Sequence, residues 1–176
     1  DDIDICMKRA DYIRFREVAK RELPKDFAIQ DYTNQKDHWL FITRVVNKNQ
    51  ICYDDDHLSR YDNFPYIATV DIFLLDYLYR DKQKEKRRMD NIMRLLAISE
   101  VIINNSSNPA VRKKLITEVE CKYDINLMKH VDSRKIGIII YGLIEKMMAE
   151  VPESEADEIG QIFPWILKGG KGYPKE

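Results

Sequence analysis

The sequence is poor in the residues that make irregular structure. Only 6 glycines and 6 prolines occur in 176 residues, which leaves little room for long loops of special backbone geometry. The three cysteines, Cys6, Cys52 and Cys121, stand far apart and form no C-x-x-C pair. That argues against a zinc knuckle or a thioredoxin-type site and for free thiols in a reducing, intracellular compartment, cytoplasmic or nuclear. No apolar run approaches the ~20 residues that span a bilayer. The longest, residues 136–144, contains Gly137 and Gly142. The first residues do not read as a signal peptide.

Catalytic signatures are also scarce. Gly169, Gly170, Lys171 and Gly172 lack the preceding strand and following Ser or Thr of a phosphate loop. No G-x-S-x-G elbow occurs, and no Cys/His pair has a telling spacing. No cofactor is expected. With Lys+Arg 29 against Asp+Glu 30 the formal charge is -1, so the chain is no general polyanion binder and any nucleic-acid contact must be local. No segment repeats at a fixed period.

Hydrophobic residues are abundant at 44%, beside 34% charged residues, a balance that suits a folded domain with a charged surface. In residues 64–107, Ile67, Val70, Leu74 and Leu78 share one helical face, as do Met89, Ile92, Leu96 and Ile103. This spacing predicts two central rods, 66–80 and 89–104, the first opened by Asn63 and Pro65.

Further helices are expected elsewhere. One covers 3–22, with Asp1, Asp2 and Asp4 at its start and Lys20 and Arg21 at its end. A second covers 36–46, where the alternative is a β-hairpin near 39–53 turning at Asn47, Lys48 and Asn49. A third covers 108–123, opened by Asn108 and Pro109, with Val111, Leu115 and Val119 inward. A fourth covers 134–150, with Ile136, Ile139, Ile140, Leu143 and Met147 on one side and with Gly137 and Gly142 admitting a neighbouring helix. The last is a short apolar lid over 159–167. The expected fold is all-α: a single-domain bundle of six to seven helices over 1–167, with a flexible tail at 168–176.

The densest charge is cationic. Arg80, Lys82, Lys84, Lys86, Arg87 and Arg88 oppose only Asp81 and Glu85, a local charge of about +4. Projected from a helix, these cations would engage phosphate or an acidic protein surface; the competing reading is a solvated linker laced with i, i+4 pairs. Lys8, Arg9, Arg14 and Arg16, interleaved with Tyr12 and Phe15, carry the same two readings.

Asp54, Asp56 and His57 are the metal candidates, since hard divalent cations take carboxylate oxygens. The cluster departs from a calcium-binding loop: Ser59 stands at the sixth position where glycine belongs, and no Glu closes it. An acidic surface loop is the competing reading. Asp71 and Glu100 interrupt apolar faces, which implies either a shared acid or metal pair or an ion pair with Arg or Lys. A di-iron bundle is disfavoured because Ile103, not His, follows Glu100 at i+3.

The function expected from these features is a non-catalytic interaction or regulatory module. It would dock onto an acidic partner, nucleic acid or protein, through the basic stretch. The alternative is a metal-dependent hydrolase or nuclease using Asp54, Asp56 and His57, with Asp71. Self-association through Phe163, Trp165 and Leu167 is also expected.

Overall fold

The computed structural model describes residues 3–34, 42–47, 69–104, 108–130 and 132–162, and these are mixed α/β, which overturns the all-α bundle. In chain order they form β1 (Ile3–Lys8), α1 (Arg9–Glu22), β2 (Phe27–Gln30), β3 (Ile42–Asn47), β4 (Thr69–Tyr79), α2 (Lys82–Ile103), α3 (Pro109–Tyr123), α4 (Ser133–Ala149), a 3-10 turn (Glu153–Glu155) and β5 (Ala156–Ile162). The sheet order is β1-β4-β3-β2, with β5 also paired to β4. Two compact units divide the chain within β4: residues 1–76 with 161–176, and residues 77–160.

The largest correction is β4, where a helix was expected over 66–80. Successive residues Asp71, Ile72, Phe73 and Leu74 are all buried, at 3%, 1%, 9% and 3% exposure. A strand covered on both faces reads as a continuous apolar run, and such a run matches helical spacing by coincidence. The β-branched and aromatic residues of this run were the better guide, because its 11 residues suit a helix in length.

In the first unit, β4 is flanked by β1 in parallel register, from Ile3 opposite Val70 to Lys8 opposite Leu75. On its other side lies β3, antiparallel, with Arg44 opposite Asp71 and Thr43 opposite Ile72. β2 pairs antiparallel with β3, from Phe27 opposite Asn47 to Gln30 opposite Arg44. The expected helix over 3–22 therefore begins only at Arg9. Before it, half-buried Ile5 and Met7 alternate with exposed Asp4, Cys6 and Lys8, the two-residue period of a strand.

The helix expected over 36–46 is likewise a strand from 42 onward, and β3 pairs with β2 and β4. The proposed return strand at 51–53 lies outside the described residues. So do the lid residues 163–167 and the tail 168–176, while 156–162 is strand in place of the lid's first turn.

The second unit holds α2, α3 and α4. Ile92, Leu95, Ile98 and Ile102 of α2 and Ile136, Ile140, Ile144 and Met148 of α4 are essentially inaccessible. Contacts of Arg88 with Met147 and of Arg94 with Glu118 show α2 running antiparallel to both neighbours, since Lys122 reaches back to Asn91. Each helix start is capped as its sequence dictates. Asp81 accepts from the Gln83 and Lys84 N–H groups, Asn108 from Ala110 and Asp132 from Arg134.

Two details of the expected faces change. Val111 is 48% exposed, with Ile116 buried in its place. A side chain at Gly142 would meet nothing within 4 Å, so that glycine admits no neighbour. Among the described residues no helix is long and apolar enough to cross a membrane.

Candidate functional site

The basic stretch begins at the end of β4 and forms the first two turns of α2. The structure sorts its six cations into three groups. Arg88 is a structural clamp, with only 2% of its side chain exposed. It donates to both carboxylate oxygens of Glu85 at 2.7 and 3.1 Å, to the Tyr77 carbonyl at 3.3 Å and to the Met147 carbonyl at 3.2 Å. Glu85 in turn accepts from the Tyr79 N–H at 2.8 Å. A cation over the last-turn carbonyls of α4 is also where the helix dipole favours positive charge.

Arg80, Lys82 and Lys84 form the second group, engaged at the surface. Lys82 meets Asp157 at 2.8 Å, Arg80 donates to the Ala156 carbonyl at 3.2 Å, and Lys84 pairs with Glu155. Lys84 also sits 4.1 Å from the centre of the Tyr79 ring. Its hydrogen bond to Glu155 holds the ammonium pKa above its ordinary value, against a smaller opposing effect of desolvation. Lys86 and Arg87 form the third group. Both are exposed, and among the described residues neither has an ion-pair partner.

Asp54, Asp56 and His57 lie outside the described residues, and among those that are described no group of three His, Cys, Asp or Glu could hold a metal. Asp71 has the ion-pair partner anticipated for it. Arg44, directly opposite on β3, donates to its oxygens at 3.0, 3.0 and 3.1 Å. Glu100 is exposed on α2. On α1, Arg9 is held by Asp76 at 2.6 Å for each of two bonds and Arg16 by Asp31, which leaves Arg14 as an exposed member of that series.

A cleft of about 270 Å³ in the helical unit was not anticipated from sequence. It is lined by Pro109, Arg112, Lys113 and Ile116 of α3, Met128 and His130 of the following loop, and Ile136 of α4. Glu120 shapes the loop by accepting from the Leu127 and Met128 N–H groups at 2.6 and 2.7 Å, while Leu127 is fully buried. The sequence did carry one signal. Arg112, Lys113 and Lys114 stand near the start of a helix whose first turn has no acid, the end where the dipole disfavours cations.

No family model matches the chain, and no curated protein or solved structure does.

Proposed function

We propose that this chain is a non-catalytic interaction module that docks onto an acidic protein surface through the start of α2. The observation that carries this reading is the exposure of Lys86 and Arg87, neither of which forms an ion pair with an acid among the described residues, beside Lys82 and Lys84 in exposed pairs. Surface ion pairs are worth little, so an incoming carboxylate can replace Asp157 or Glu155 as partner. Arg88 and Glu85 are excluded from the docking face because they hold the unit together.

Glu155 and Asp157, paired with Lys84 and Lys82, favour a protein over nucleic acid. A surface of both signs complements another such surface and fixes its orientation, whereas the evenly charged DNA backbone would meet repulsion there. The exposed free thiols Cys6 and Cys121 suit a reducing compartment and support an intracellular location as part of this reading.

Fluorescence anisotropy with a labelled peptide carrying a glutamate cluster flanked by lysines, and with a labelled oligonucleotide, each at low and high salt, tests the reading. The peptide should bind more tightly at low salt, exceed the oligonucleotide, and lose binding in Lys86→Ala/Arg87→Ala. Equal binding by that variant would refute the site, and preference for the oligonucleotide would make nucleic acid the partner.

A further inference from the structure

The cleft between the start of α3 and the loop before α4 shares no residue with the basic stretch and lies at the edge of the helical core, with buried Ile116 and Ile136 in its lining. Its composition is divided. Arg112, Lys113 and His130 supply nitrogen donors, whereas Pro109, Ile116, Met128 and Ile136 supply apolar wall, and none of the seven lining residues is acidic. The Arg112 Nε is buried with no hydrogen-bond partner among the described residues. A buried donor without an acceptor is costly, so a site that retains one is suited to an acceptor from outside.

We infer that this cleft binds a small organic anion, a phosphate or carboxylate group carried on a compact apolar body. The guanidinium of Arg112 presents the planar donor fork that suits two oxygens of either anion. Lys113 adds an exposed ammonium and His130 a ring nitrogen from the opposite wall. The apolar body would rest on Pro109 and Met128, with the nearly closed Ile116 and Ile136 behind them; Met128 is 45% exposed and unbranched, free to fold over it. The volume of about 270 Å³ equals roughly nine waters at ~30 Å³ each, the size of a single substituted ring and too small for a nucleotide. The support is independent of the docking face, because the cleft lies by the start of α3 and that face by the start of the antiparallel α2.

The test is a titration of the full ¹⁵N-labelled chain with phenyl phosphate and with benzoate, alongside inorganic phosphate and phenol as the separate halves of the ligand. Phenyl phosphate or benzoate should shift the amides of 110–116, 127–130 and 134–137 saturably, and each half alone should bind at least about tenfold more weakly. Arg112→Leu should weaken binding by about tenfold or more, as loss of a charged hydrogen bond requires. Lys113→Ala changes an exposed residue, keeps the fold and should weaken binding severalfold. Lys86→Ala/Arg87→Ala should bind the ligand as well as the parent does, which separates this site from the docking face. The proposal is overturned if neither compound shifts those amides saturably. It is equally overturned if inorganic phosphate binds as tightly as phenyl phosphate, or if both the Arg112 and Lys113 variants bind unchanged.

Discussion

In the first unit three arginines reach from one element to a carboxylate on another: Arg9 to Asp76, Arg16 to Asp31 and Arg44 to Asp71. In the second unit the helices meet through isoleucine, leucine and methionine, and Arg88 is the buried cation among its described residues. The register explains the first pattern. Lys8 lies opposite Leu75, so the next residue along, Arg9, arrives beside Asp76 as α1 begins. Asp71 and Asp76 differ in parity and so face opposite sides of the sheet. Tyr12 and Thr43 share a hydrogen bond at 2.6 Å on the Asp76 side, which places α1 across that face.

The contrast teaches where the energy of each unit is concentrated. A bidentate pair on a carboxylate with 3% exposure concentrates specificity in one contact, which fails when half of it is removed. An aliphatic helix interface spreads its energy over many contacts, and each truncation removes only a share.

The sharpest way to break the comparison is Arg9→Ala, which leaves the Asp76 carboxylate buried without its guanidinium. It should cost about 3–5 kcal/mol in urea denaturation. Arg9→Leu/Asp76→Leu should recover most of that, and a single-variant loss no larger than a surface substitution would remove the distinction. Arg88→Ala should behave like the first unit's pairs despite its place in the second, again about 3–5 kcal/mol, whereas Lys86→Ala/Arg87→Ala should leave the midpoint unchanged. Ile140→Ala in the helical interface should cost about 2–5 kcal/mol and show no salt dependence.

The pH limits should also differ between the units. Burial pushes the Asp31 carboxyl up, but hydrogen bonds from the Thr33 hydroxyl and N–H and from Arg16 outweigh it and hold the group below its ordinary 3.8. A native value below the unfolded one gives stability that is complete above the unfolded value and lost as the pH falls from there through the native value. Tyr141 is pushed up to about 12, chiefly by burial, with Ser99 opposing and Glu100 adding to the shift. Its unfolded form ionises first, so stability should fall as the pH rises from about 10 towards 12. Thermal melts across pH should show Asp31→Asn flattening the acid limb alone and Tyr141→Phe the alkaline limb alone. Glu118, held low by Arg94, is exposed and adds little to the acid limb. The smallest effect belongs to Asn108→Ala, which removes the cap of α3 and should cost about 1 kcal/mol.

Much of the second unit was readable in the sequence. Asn108 with Pro109 and Asp132 with Ser133 marked two helix starts, and the run from Met89 to Ile103 marked most of α2, because caps and helical periods act within a few residues of themselves. What failed was β4, read with the same face rule as α2. A helix satisfies its own backbone, while a strand satisfies its backbone only through partners distant in sequence, here β1 and β3. The charged positions failed for the same reason, since nothing local indicates that Arg88 will be buried or that Asp157 will meet Lys82.

The sequence alone therefore determined the three helices after residue 81, the scarcity of catalytic motifs and the position of the cationic stretch. Only the tertiary structure decided that residues 69–79 pair as a strand, which arginines are consumed by internal carboxylates, and that Arg112, Lys113 and His130 line one cleft. Those outcomes depend on which distant segments come to lie side by side, and side-chain chemistry specifies that jointly across the chain, not within any one stretch.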